Sequence, residues 1–345
     1  MPSPVGYPFG SAFTDHMVMA NWREGSGWGA PKLLPHAAIP MSPAMVGLHY
    51  GQVIFEGLKA FRRTDGRLAV FRPEDHARRF RASARRMMMP EIPDEVFRDA
   101  LDELVRQDRD FVPAESSASL YLRPLMFASE PDLAVRPARE YQFLLIAFVT
   151  DGLFGSEPRP LKVWVNEDHP RAAVGGTGNV KCAGNYAGAL RAQSLAQENG
   201  CDQVVWLDPA ELRWVEELGA TNLFFVRKSG QSHELVTPPL SGSLLPGVTR
   251  DSLTVLARDM GLNVLEDRVS VGEWQDDCLS GRITEVFASG TAAGVRAVGQ
   301  VRSAGASWQI GDGSVGPVTA ALSEALQGIQ YGRRPDSHRW LHLVD

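Results

Sequence analysis

Cysteine is scarce in this chain of 345 residues. There are three, Cys182, Cys201 and Cys278, odd in number and with no CxxC pair. That excludes a disulfide framework and a cysteine-rich zinc site, and it predicts reduced thiols in a cytoplasmic protein. Long apolar runs are missing too. The longest, Phe143-Leu144-Leu145-Ile146-Ala147-Phe148-Val149, has the length of a buried strand and falls far short of a membrane span. The first residues show neither the basic segment nor the apolar core of an export signal. Basic charge is not in excess. The 35 Lys and Arg stand against 41 Asp and Glu, a formal net charge of −6, so neither nucleic acid nor a membrane is expected as a partner. Lysine is rare: Lys32, Lys59, Lys162, Lys181 and Lys228 are the only ones. A reaction that needs an amine therefore has five candidates.

Several familiar motifs are absent. No GxxxxGK[ST] phosphate loop, GxSxG elbow or HExxH zinc helix occurs, the eight histidines are scattered, and no metal site is expected. The run Gly176-Thr177-Gly178-Asn179-Val180-Lys181 has lysine where a dinucleotide fingerprint needs its third glycine, and no strand directly precedes it.

What is present is an ordinary folded composition, 44% hydrophobic and 22% charged, long enough for two domains or one large one. Strands are expected at 67–71, 119–127 and 141–149. A helix should begin at Pro73, with Glu74 and Asp75 near its positive end, and stop before Pro90. Its apolar stripe would be Phe80, Ala84, Met87 and Met88. A second helix is expected over 94–106. Gly152, Gly155, Pro158 and Pro160 punctuate the next stretch and suggest a linker. Beyond it come a strand at 161–165, a helix over 183–199, an antiparallel meander of 203–207, 212–217 and 222–226, a helix over 250–260 and a strand at 283–288. The expected division is a small α/β domain over 1–151, a linker over 152–168 and a larger domain over 169–345.

Lys181 lies between the glycine-rich loop and a helix start built of small residues, Ala183, Gly184, Ala187 and Gly188, which leave room for a bulky group. A partly apolar setting would favour the free amine that captures an aldehyde. Pro246-Gly247-Val248-Thr249 opens a helix whose N–H groups suit a phosphate. Ser289-Gly290-Thr291-Ala292 follows a strand with hydroxyls and turn amides. An amine, a phosphate cup and an acid together are what pyridoxal phosphate requires. The acid would be Glu216 or Glu217, adjacent strand residues that face opposite sides.

Seven segments carry a resemblance over nearly the whole chain: LHYGQVIFEGLKAFR (48–62), DHARRFRASARRM (75–87), LYLRPLMFASEP (120–131), GTGNVKCAGNYAGAL (176–190), EELGATNLFFV (216–226), TPPLSGSLLPGVTRDSL (237–253) and EVFASGTAAGV (285–295). In these the chain resembles the branched-chain amino-acid aminotransferases, class IV pyridoxal-phosphate enzymes. The resemblance implies the two-domain mixed α/β fold of the D-amino-acid-aminotransferase type (fold type IV), with the larger domain binding pyridoxal 5'-phosphate. It implies Lys181 as the Schiff-base lysine, Glu217 as the partner of the ring nitrogen and Tyr186 on the phenolic oxygen. Arg79, Val248, Thr249 and Thr291 would hold the phosphate. Tyr50, Phe55, Tyr121 and Phe154 would wall the substrate side chain, Thr291, Ala292 and Ala293 would line its carboxylate side, and Arg123 would accept the glutamate side chain. The implied reaction exchanges an amino group between leucine, isoleucine or valine and 2-oxoglutarate, in a homodimer. A D-amino-acid aminotransferase or an aminodeoxychorismate lyase shares the fold and is the alternative. The FEGLKAFR and YLRP segments and the chain length favour the first reading. The CxxC of some family members is not here: its positions hold Ala293 and Arg296.

Overall fold

The computed structural model describes residues 9–114, 118–154 and 159–344. The chain divides into two compact units. The first comprises Met1–Ser156, Val180–Gly184 and Gly328–Asp345, and the second Glu157–Asn179 and Asn185–Gln327.

The first unit is built on an antiparallel sheet. Its strands run in the order Leu341–Val344, Leu68–Phe71, Leu58–Arg62, Ser119–Ala128, Glu140–Thr150, Phe13–Arg23 and Gly27–Trp28. Lys32–Pro35 also pairs with Phe13–Arg23, and Val53–Phe55 with Ser119–Ala128. Glu140–Thr150 holds the long apolar run, and its central position explains why both of its faces are apolar. Two helices, Pro73–Arg86 and Asp94–Gln107, pack Phe80, Ala84, Phe97, Leu101 and Leu104 into the core. Pro73 does open its helix. The expected stripe departs at its end. The helix stops at Arg86, Met88 turns left-handed (φ 52°) and is exposed, and Met89 takes the buried place.

The second unit contains a closed ring of strands: Val215–Leu218, Gln203–Leu207, Leu161–Val165, Gly294–Arg302, Ile283–Gly290, Thr221–Ser229, and back to Val215–Leu218. Closure leaves no free edge within the ring. The meander over 203–229 is antiparallel, whereas Leu161–Val165 pairs in parallel with both its neighbours.

The observed division differs from the expected one in three places. Leu161–Val165 is a member of the ring, so the span 152–168 is not all linker. Leu341–Val344 pairs with Leu68–Phe71, which returns the C-terminal segment to the first unit. Val180–Gly184 also belongs to the first unit, for a reason given below. The helix expected over 183–199 is two, Gly184–Ala187 and Leu190–Glu198, because glycine at 188 is a poor helix former.

Candidate active site

In the first unit the backbone of Lys181 is laid along the strand Val53–Phe55. The Phe55 N–H donates to the Lys181 carbonyl and the Ala183 N–H to the Val53 carbonyl, both at 3.0 Å, while Cys182 bridges to Ile54. The Lys181 N–H donates to Ser83 Oγ at 3.0 Å, and the Ser83 hydroxyl donates to the Arg79 carbonyl at 3.1 Å. These bonds carry residues 181–183 into the first unit.

The side chains around this segment form a charged group beside an aromatic one. Lys181 Nζ lies 4.9 Å from the centre of the Phe55 ring. The Arg123 guanidinium lies 4.9 Å from the same ring and 5.4 Å from that of Tyr121. Arg123 Nε is buried and has no hydrogen-bond partner among the described residues. Tyr121 stacks on Phe148 at 4.9 Å, and both rings meet the edge of Phe9. The Tyr121 hydroxyl presses against Gly57, where an added Cβ would sit 1.8 Å from it. Gly57→Ala should therefore displace Tyr121 and destabilise the protein by about 1–3 kcal/mol. Denaturant titration checks this, and an unchanged midpoint would contradict the close approach.

Arg79 is organised by a residue that the sequence reading passed over. Glu56 is fully buried and accepts from Arg79 Nε at 2.7 Å, Arg79 Nη2 at 2.9 Å and His76 Nδ1 at 2.7 Å. Burial alone would raise the Glu56 pKa, but Arg79 and His76 outweigh it and hold the carboxyl far below its usual range. Burial lowers the His76 pKa against the pull of Glu56, so the ring stays neutral and gives its Nδ1–H to the carboxylate. A signal was available: Glu56 is an acid inside the apolar run Val53-Ile54-Phe55-Glu56-Gly57-Leu58. Only the fold shows which cation it meets.

Tyr50 is not brought against this cluster. It ends the short helix Val46–Tyr50, is half exposed, and donates its hydroxyl to the Leu133 carbonyl at 2.9 Å. Phe154 is half-buried in the turn that follows Glu140–Thr150.

In the second unit Glu217 lies on Val215–Leu218 and is 4% exposed. Its Oε2 is 2.5 Å from Arg171 Nη2, and its Oε1 accepts from the Leu245 N–H at 3.0 Å and from Asn222 Nδ2 at 3.4 Å. The neighbouring Glu216 instead takes the hydroxyls of Ser241 and Ser243, at 3.0 and 2.6 Å. Asn222 also donates to the Leu245 carbonyl and packs against Gly247, where a Cβ would meet Asn222 Oδ1 at 2.0 Å. Gly247 is the N-cap of the helix Val248–Asp259 and carries no side-chain cap, so Val248 and Thr249 stand at an unblocked helix start. Register sets Glu217 opposite Asn222, and Asn222 opposite Ser289. Ser289 is fully buried, and its hydroxyl has no partner among the described residues. Two residues on, Thr291, Ala292 and Ala293 form the turn between Ile283–Gly290 and Gly294–Arg302. The acid, the helix start and this turn thus share one end of the ring. Tyr186 is half-buried on Gly184–Ala187. Sequence reasoning missed Arg171 and Asn222 here, as it missed Glu56, His76 and Ser83 in the first unit.

His338 and His342 are four apart, the spacing that pairs two ligands on a helix. They lie in a turn and a strand instead, one stacked on Trp340 and the other bonded to Asp102. Among the described residues no cluster could hold a metal ion, and no helix is long and apolar enough to cross a membrane.

Amine, buried acid and phosphate-type helix start are the parts of a pyridoxal-phosphate transferase. The sequence profile described as Amino-transferase class IV matches residues 53–301. A Streptomyces coelicolor protein described as a probable branched-chain-amino-acid aminotransferase is 52% identical over 337 residues, 97% of this chain and 92% of that protein. The solved Escherichia coli branched-chain amino acid aminotransferase superposes with a TM-score of 0.80 at 27% identity, covering 96% of this chain and all of that one. A second solved branched-chain amino acid aminotransferase, complexed with N-(5'-phosphopyridoxyl)-L-glutamate, has a TM-score of 0.77 at 28% identity, over 94% of this chain and 98% of that one. The chain belongs to the class IV aminotransferases and, within them, to the branched-chain-amino-acid aminotransferases.

Proposed function

We propose that the protein reversibly transfers the amino group of leucine, isoleucine or valine to 2-oxoglutarate, giving branched-chain 2-oxo acids and glutamate, with pyridoxal 5'-phosphate as cofactor. The residues fit that group. A lysine amine lies beside an aromatic ring, a buried carboxylate is already paired for ionisation, and a helix start is left uncapped. When bound, the cofactor supplies an aldehyde for the amino group and a ring that accepts electrons released at the substrate Cα. Lys181 Nζ takes the Cα proton and returns it in the reverse direction. The Glu217 carboxylate holds a proton on the ring nitrogen. Arg79, the amides of Val248 and Thr249, and Thr291 hold the phosphate, and Tyr186 meets the phenolic oxygen. Tyr50, Phe55, Tyr121 and Phe154 receive the aliphatic side chain, and Thr291, Ala292 and Ala293 the carboxylate end.

The observation that carries the substrate reading is Arg123. Its buried Nε lacks an acceptor among the described residues, and its guanidinium lies over the two rings offered to the aliphatic chain. A purely apolar wall would reject glutamate, because an unpaired buried carboxylate is costly. Arg123 offers that carboxylate a partner without removing the apolar surface. Arg123→Ala should slow the glutamate half-reaction roughly 10–100-fold more than the leucine half-reaction, the worth of a charged hydrogen bond. Stopped-flow absorbance with each amino acid separates the two, and equal losses would refute the assignment.

We further propose a cytoplasmic homodimer. Leu48, Tyr50, Leu133 and Val135 are exposed apolar side chains, and the Tyr50–Leu133 hydrogen bond joins their segments, which supports a face covered by a second copy.

A further inference from the structure

Arg171 precedes the glycine-rich loop, and its side chain is 11% exposed. One nitrogen, Nη2, reaches three acceptors: Glu217 Oε2 at 2.5 Å, the Ser243 carbonyl at 2.6 Å and the Gly178 carbonyl at 3.4 Å. A carboxylate buried as deeply as Glu217 drifts toward its neutral form unless a cation sits beside it. A neutral carboxyl does not hold a proton on a ring nitrogen. The contacts of Glu217 are divided between its oxygens. Oε2 faces Arg171, and Oε1 faces Leu245 and Asn222, so the carboxylate plane is fixed from both sides. The two backbone acceptors of Arg171 also tie down the loop three residues before Lys181 and the loop that leads to the Val248–Asp259 helix.

We propose that Arg171 is a positioning residue that acts through Glu217, keeping its carboxylate ionised and aligned on the cofactor ring nitrogen. This rests on the reading of Glu217 given above. The Arg171–Glu217 pair would set how strongly the ring nitrogen keeps its proton, and so how well the ring accepts electrons. It also explains why Glu217, and not the adjacent Glu216 among its serine hydroxyls, has that role.

The test uses holoenzyme loaded with cofactor that is isotope-labelled at the ring nitrogen. The nitrogen resonance is followed from neutral to alkaline pH in wild type, Arg171→Met, Arg171→Lys, Glu217→Gln and the double variant Arg171→Met/Glu217→Gln. The wild-type ring nitrogen should stay protonated, and Glu217→Gln should lose that proton. Arg171→Met should move the shared proton from the ring nitrogen toward the Glu217 carboxyl, lowering the ring-protonated fraction at neutral pH roughly tenfold, the equivalent of about one pKa unit. Arg171→Lys should fall between the two, and it decides the matter if Arg171→Met does not fold. Adding Arg171→Met to Glu217→Gln should change neither the resonance nor turnover further. A wild-type resonance in Arg171→Lys and Arg171→Met, beside an altered one in Glu217→Gln, would overturn the role of Arg171 alone. A full additional loss in the double variant would assign Arg171 to the loops and also overturn it. A wild-type resonance in Glu217→Gln would overturn the reading of Glu217 itself.

Discussion

Lys181→Ala should lower turnover by roughly two to four orders of magnitude, the range expected when a general acid–base is removed. The fold should survive, because the bonds that seat residues 181–183 are made by backbone atoms. The Lys181 N–H meets Ser83, its carbonyl meets Phe55, and Ala183 meets Val53. The variant should therefore melt close to wild type while failing to exchange amino groups in either half-reaction. Borohydride reduction of the wild type with pyridoxal phosphate should place the label on the peptide that contains Lys181. A label on Lys59 or Lys162, or near-normal turnover in Lys181→Ala, would end the assignment.

Glu56→Ala should cost about 3–5 kcal/mol of stability, because it leaves the buried Arg79 cation and the His76 donor without their acceptor. Glu56 is fully buried and the Arg79 side chain is 10% exposed, so water cannot replace the lost partner cheaply. Retention of pyridoxal phosphate should fall as well, since the Arg79 fork loses the carboxylate that orients it. The pH dependence follows from the sign of the shift. Glu56 is held below its usual 4.5 in the folded protein, so its contribution is present above that value and is lost as pH falls beneath it. His76, held below its usual 6.5, acts in the same direction at a higher pH, because unfolding lets it take up a proton. His342, raised by Asp102, has the opposite sign, and its stabilisation fades as pH rises. The stability gap between wild type and Glu56→Ala, read from denaturant titrations, should therefore begin to narrow as pH falls below 4.5 and keep narrowing with further acidification. Curves that stay parallel there would show that Glu56 is not the carboxylate responsible.

The sequence was most legible where chemistry is concentrated in short, ordered segments. Lysine was rare enough to make Lys181 a candidate before any fold was known, and its loop-to-helix setting is the one observed. Pro73 marked a helix start, the apolar run 143–149 a central strand, and the Gly247-Val248-Thr249 turn a helix N-terminus, because each depends on neighbouring residues alone. The meander over 203–229 followed from its short connections.

What the sequence could not determine was every partnership made across long separations. Local patterning has no term for Glu56 meeting Arg79 and His76, 23 and 20 positions away, or for Arg171 meeting Ser243, 72 positions away. Strand alternation left Glu216 and Glu217 equivalent; tertiary contacts separated them, giving one two serine hydroxyls and the other an arginine. Even the unit to which Lys181 belongs was decided by tertiary structure. Two backbone bonds to the Val53–Phe55 strand and one from the Lys181 N–H to the Ser83 hydroxyl, 98 positions away in sequence, outweigh the continuity of the chain on either side. Hydrogen-bonding groups must be satisfied wherever the fold brings them, and that requirement acts through space, not along the chain.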